Sequence, residues 1–295
     1  VIRTESESFD PLDPELDVGN WIRDAYDWFT DTFQPVLDGI DSALSWAFDT
    51  LFDVLSGPPF LVMIAIFAVL GLIVRSWQFA VFTVLAFYLI AAMGQWDGAM
   101  QTLALILLAA TIASSLAVPL GIWAAKSQTV SQIVRPVLDF MQTMPAMVYL
   151  IPTLFAFGIG VVPGMISTVI FAMPPGVRFT ELAIRQVDSE VVEAGQAFGA
   201  PPGRILRQIQ LPLALPTIMA GINQVIMLSL SMVVLAALVG SGGLGGEVVA
   251  GLNALSIPRG AEAGLAVVVL AIYLDRSVAA LADRAPVVRA SQVRE

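Results

Sequence analysis

Cysteine and histidine are both absent from the 295-residue chain. That removes a thiol nucleophile, a disulfide frame, and the usual ligands and general bases of zinc and acid–base sites. There is one lysine, Lys126. The glycine-rich run GSGGLGG (Gly240–Gly246) is not followed by Lys-Ser/Thr, so it is no Walker A loop and the chain does not bind ATP in that way. An intramembrane enzyme would need a Ser/Lys pair or paired aspartates, and neither is arranged here. What is left is a set of neutral polar groups inside apolar runs: Gln142, Thr143, Asn223, Gln224, Ser229 and Ser231. Such groups either line a path for a polar solute or hydrogen-bond between helices. Met141, Met144, Met147 and Tyr149 are soft and polarisable, which suits a methylammonium-type cation or ordinary packing.

The elements that must hold these groups follow from composition. The chain is 57% hydrophobic and 13% charged, against roughly 25% charged in a typical soluble domain, and its mean hydropathy is +0.83. It reads as an all-α membrane protein. A bilayer core needs about 20 apolar residues in a helix, and seven candidate spans stand out: about 59–74, 77–94, 100–124, 137–157, 161–175, 213–239 and 261–281. Pro174-Pro175 is expected to end the fifth. Asp139, near a span interior, lies four residues after Arg135 and can pair with it. So few charges lie within the spans that no proton relay is visible.

Arg75, Lys126, Arg135, Arg178, Arg185, Arg204, Arg207, Arg276, Arg284, Arg289 and Arg294 fall on one side of this topology; Arg259, Arg3 and Arg23 fall on the other. The basic side is expected to be cytoplasmic, which puts the N-terminus outside and the C-terminus inside. The net charge of −10 is uneven: residues 1–57 hold 13 acids and 2 arginines, a net of −11. The reading is therefore an acidic external region (1–57), a transmembrane domain (58–285) and a cytoplasmic tail (286–295). The first residues carry acids and no apolar run, so they do not read as a signal peptide. From about Trp21 to Leu55 apolar residues recur at helical spacing between aspartates. Pro35 and Gly39 are expected to break this stretch into two helices. It either lies on the outer membrane face, touches a partner, or packs on its own body.

One polar stretch interrupts the apolar half of the chain: EAGQAFGAPPGRILRQIQLP, Glu193–Pro212. Asp188 and Ser189 can cap a helix, with Glu190 and Glu193 in or near its first turn. Gly199 suits a left-handed stop, and Pro201-Pro202 suits the start of a second helix. Leu211-Pro212 then returns the chain to the bilayer. The expectation is two short helices in an L on the cytoplasmic side, offering an apolar ridge to a partner or resting on the membrane.

The segment, about 187–212, resembles the EAA loop of ATP-binding-cassette importer permeases. Glu193, Ala194 and Gly195 fill its first triplet, Gly199 follows after three residues, and Ile209 and Leu211-Pro212 fall in register. Gly195 stands where the pattern has a second alanine. The runs MQTMPAMVYLIP (Met141–Pro152), FGIGVVPG (Phe157–Gly164), IRQVDSEVVEAGQAFGA (Ile184–Ala200), QLPLALPTIMAGINQVIMLSLSMVV (Gln210–Val234) and GSGGLGG extend the likeness over most of residues 60–285. Together they look like the permease subunit of glycine betaine/proline betaine importers.

That resemblance implies a type I (MetI-like) ABC importer permease core in a bacterial inner membrane. It implies a second copy of the chain, two cytoplasmic ATPase subunits that carry the ATP and Mg, and an external substrate-binding protein. No cofactor, metal or catalytic residue is expected on this chain, and no nucleic acid partner. The coupling residues would be Glu193, Ala194, Gly195, Gly199, Ile209, Leu211 and Pro212. Candidate pathway residues are Gln142, Thr143, Met144, Tyr149, Asn223, Gln224, Ser229 and Ser231. Betaine, choline, carnitine and trimethylamine oxide all remain open as solutes. The rival reading is an ion-coupled secondary transporter of a small polar solute. The lack of buried carboxylates and histidines argues against proton coupling, though not against sodium.

Overall fold

The computed structural model describes residues 17–283. The first part of the acidic region and the expected 286–295 tail lie outside the described residues. Among those described there is no strand, as the all-α reading expects. The helices are α1 (Val18–Ser56), α2 (Phe60–Val74), α3 (Trp77–Ala92), α4 (Trp96–Lys126), α5 (Gln128–Thr143), α6 (Leu150–Phe157), α7 (Val161–Arg185), α8 (Ser189–Ala197), α9 (Pro202–Ile205), α10 (Leu211–Ala236), α11 (Gly243–Asn253) and α12 (Ile257–Asp283).

Among the described residues, four helices are long and apolar enough to cross a bilayer: α4, α7, α12 and the continuous run Pro202–Val239 that contains α9 and α10. Two further spans arise if each bent pair counts as one, α1 with α2 (97°) and α5 with α6 (107°), and α3 is a shorter apolar helix. The seven-span count is therefore approximate. The fourth candidate, 137–157, is not one rod. Pro145 disfavours helical backbone at Met144, which is extended (ψ 133°), and the chain turns there.

The centre of the bundle is α4, α7 and α10, and small residues let them approach closely. Ala99, Ala104, Ala109, Ala113 and Ala117 of α4 are buried. A side chain on Gly176 would meet Ala117 and Val225, and one on Gly221 would meet Phe179. In a bilayer, where lipid is as apolar as leucine, such close backbone packing is what holds helices together. Phe67, Phe87 and Tyr273 join α2, α3 and α12 through ring contacts of 4.8–5.7 Å between centroids.

Two proline-based boundaries are corrected. The fifth span does not stop at Pro174-Pro175; α7 runs on to Arg185. Both prolines are buried between tightly packed flanks, and this packing holds the helix despite the lost backbone bonds. Nor do Pro35 and Gly39 break α1, a single helix of 39 residues. Pro35 is exposed, so water can serve the carbonyl it leaves free. Only the C-terminal third of α1 packs into the core, through Phe48 and Leu55. Further up, the Tyr26 hydroxyl donates to the Pro152 carbonyl at 2.6 Å.

Candidate functional site: the coupling hairpin

Asp188 caps α8 by accepting from the Glu190 amide at 2.9 Å. The helix ends in a two-bond C-terminal motif: the Ala200 amide donates to Gly195 O (3.1 Å) and the Gly199 amide to Gln196 O (2.8 Å). This 6→1 and 5→2 pair needs a left-handed residue between, and Gly199 has φ 74°. Pro201-Pro202 then opens α9 as expected.

The second arm differs from the expected short helix. Leu206–Gln210 widens to π geometry, with the Leu211 amide donating to Leu206 O, and leads without a break into α10. Leu211-Pro212 is therefore not a joint between hairpin and span; Pro212 follows the widened turn directly, inside a continuous helix, and the local π geometry accommodates its missing N–H.

The two arms touch at the position that departs from the EAA pattern. A β-carbon on Gly195 would lie 2.8 Å from the Ile209 terminal methyl, so Gly195 lets α8 lie close against Ile209. Outward, the first arm is apolar and acidic at once: Phe198 is 92% exposed and Val191 42%, and Glu193 and Ala194 are exposed beside them, while Arg204 and Arg207 are exposed on the second arm. Leu211 and Pro212 are half-buried at the root. Behind the hairpin, a cavity of about 650 Å³ separates it from the ends of α4 and α7, lined among others by Lys126, Arg185, Gln196 and Gln210.

The candidate pathway residues do not form one group. Met144 packs with buried Tyr149, Met232 and Ala236, and the Tyr149 hydroxyl donates to Met141 O across the α5–α6 bend. Gln142, Thr143, Gln224 and Ser231 are exposed on the single chain. The Asn223 amide donates to Asp275 Oδ1 at 3.0 Å, tying α10 to α12. Ser229 is buried and bonds Val225 O within its own helix, which leaves it no free surface.

At the other end, GSGGLGG is a fastened turn. Gln101 accepts from the Gly243 amide and donates to Ser241 O, Thr102 accepts from the Leu244 amide, and the Gly160 amide donates to Val239 O. Beside it, Arg259 Nε donates to Glu247 Oε2 at 2.6 Å. That hydrogen bond, helped by the arginine's charge and opposed by slight burial, holds the Glu247 carboxyl below its usual range.

The charged groups near α7 were misread from sequence. Asp139 pairs with Arg178, not with Arg135. Arg135 instead reaches Glu181 at 2.9 Å, a buried carboxylate that sequence reasoning passed over because the span was cut at Pro175. The signal was present as two i,i+4 pairs, Ser131/Arg135 and Glu181/Arg185.

A bundle of apolar helices with an exposed, acidic, glycine-closed hairpin at one end has the form of a transport permease. Residues 117–285 match the family described as binding-protein-dependent transport system inner membrane component, and the chain belongs to that family. It is 47% identical over 263 residues, covering 89% of this chain and 93% of the relative, to the glycine betaine transport system permease protein OpuAB of Bacillus subtilis. It is 42% identical over 274 residues, covering 92% of this chain and 77% of the relative, to the glycine betaine/proline betaine permease protein ProW of Escherichia coli. Among solved structures, the inward-facing MetNI methionine ABC transporter shares the fold at a TM-score of 0.56 and 23% identity, over 66% of this chain and 95% of that one.

Proposed function

We propose that this chain is the permease subunit of an ATP-driven importer for a betaine-type quaternary-amine osmolyte. The observation that carries the reading is the 47% identity that spans nearly the whole of a glycine betaine permease. In this reading the chain pairs with a second copy, lines the path between them, and takes solute from an external binding protein. Two cytoplasmic ATPases hold ATP and Mg and grip the hairpin through Phe198, Glu193 and their neighbours. The basic loops face the cytoplasm of a bacterial cell, the acidic residues 1–57 lie outside, and 286–295 lie inside. Closure of the ATPases draws the two hairpins together and switches the 58–285 bundle from inward- to outward-facing.

Liposomes holding the chain with its ATPase and binding protein are expected to import radiolabelled glycine betaine only when ATP is supplied. The chain alone is expected to hydrolyse no ATP. Betaine uptake driven by an ion gradient in liposomes holding only this chain would establish the secondary-transporter reading instead. Choline, carnitine and trimethylamine oxide, offered as competitors, set the breadth of the solute range.

A further inference from the structure

Ser131, Arg135 and Asp139 of α5 recur every four residues and so share one face. They meet Arg178, Glu181 and Arg185 of α7 as a polar ladder. Three donors converge on Glu181 Oε1: Ser131 Oγ at 2.8 Å, Arg135 Nη2 at 2.9 Å and Arg185 Nε at 2.9 Å. One turn away, Arg178 pairs with Asp139. Arg185 also donates to Ala124 O at 2.9 Å, one of the last α4 carbonyls, which have no partner within the helix. Glu181 is 4% exposed and Ser131 is fully buried.

Two features make this more than surface decoration. Of the α5 side chains only Ser131 and Leu138 are buried; Leu138, with Val134 and Met141, packs on Val177 and Met173 of α7, and the polar ladder runs beside this narrow apolar seam. Sliding α5 along α7 would strip Ser131 and Arg135 from Glu181 and leave it Arg185 alone, and taking partners from a buried carboxylate is costly. An apolar seam would allow such a slip at less cost. The ladder therefore fixes register. Its position is also specific: α7 leads into the hairpin within three residues, and α5 leads into the bend at Met144-Pro145 beside Gln142 and Thr143.

We propose that Glu181 is a positioning residue that makes α5 follow α7 as one body, so that movement of the hairpin reaches the α5–α6 bend. The inference rests on the importer reading for the origin of that movement. The test uses the whole transporter in liposomes, with glycine betaine as probe and two readouts: ATPase capture by the permease, and betaine imported per ATP hydrolysed. Glu181→Gln and Arg135→Gln are expected to keep ATPase capture and hydrolysis while the import-to-hydrolysis ratio falls roughly twofold to thirtyfold. Arg135→Lys, which keeps the charge, is expected to recover much of the ratio.

A merely structural role would lower uptake and hydrolysis together and leave their ratio unchanged; that result, or an unchanged ratio in both variants, overturns the proposal. If Glu181→Gln does not reach the membrane, Arg135→Gln decides alone, because its side chain is 58% exposed and its loss leaves Glu181 paired with Arg185. A wild-type complex that imports no betaine would instead refute the importer reading.

Discussion

Gly199→Val tests the hairpin with little else disturbed. A β-carbon at Gly199 meets nothing within 4 Å, so the substitution makes no clash. Its cost is conformational: φ 74° is a region that L-residues occupy at about 1–2 kcal/mol, and β-branched ones at the upper end of roughly 1–3. A domain stable by about 5–15 kcal/mol survives that. The hairpin does not survive it unchanged, because the bonds to Gln196 O and Gly195 O that turn the chain out of α8 depend on that conformation. About 2 kcal/mol against the native turn lowers the ratio of native to alternative turns by about thirtyfold, at tenfold per 1.4 kcal/mol, which is the upper bound on the loss of competent hairpin. Affinity for the ATPase falls in proportion to the competent fraction.

The assay is ATPase capture titrated on detergent-solubilised permease, with membrane abundance read from the same samples. Gly199→Val is expected at near-normal abundance with affinity reduced by up to about one and a half decades. Gly203→Ala is the control for added bulk at an α-helical position of the same hairpin: its methyl meets nothing within 4 Å, so binding stays near wild type. If Gly199→Val binds as tightly as the wild-type chain, the turn does not set the docking geometry and the reasoning fails.

Glu193→Ala is expected to reach the membrane normally, since the side chain is exposed, and to lose ATPase capture and betaine uptake; Gln128→Ala, at the first residue of α5 on the same side, should lose neither. The cysteine-free chain allows a direct test of orientation. A cysteine at Asn253 should react with an impermeant thiol reagent in intact cells, and one at Gln208 only after permeabilisation; the reverse pattern would invert the topology. For Glu247 the native carboxyl is lowered by Arg259, so the pair stabilises the α11–α12 joint above the unfolded carboxyl pKa and is lost as pH falls through the lower native value. Amide exchange across α11 should therefore quicken on acidification in the wild-type chain. In Glu247→Gln it should already be quick and should change little with pH.

The hairpin was legible because its punctuation is local: a capping aspartate, a left-handed glycine and a proline pair each act over a few residues, and all three appear where the sequence places them. The long apolar runs were legible for the same reason. What misled was proline read without its surroundings. The same residue ends a helix at Pro145, is buried within α7 at Pro174 and Pro175, and faces water within α1 at Pro35; burial and water access decide which, and neither is local. Ion-pair choice failed likewise. Arg135 and Asp139 share a helix face, yet each finds its partner on α7, because the spatial neighbour is set by packing rather than by spacing along the chain. The candidate pathway residues were chosen by polarity alone, which does not separate Ser229, spent on its own backbone, from Gln224 on the surface.

The widened turn at Leu206–Gln210 accommodates one residue more than an α-helix would use there, and it sits between α9 and α10. Each residue added or removed in such a run turns everything beyond it by about 100° about the helix axis. The extra residue thus acts as a phase setting: it chooses which compass direction the hairpin points, with the α10 face packed on α4 and α7 held constant. Because the arm and α10 form one continuous shaft, no loop lies between hairpin and bundle to absorb a rotation of one against the other.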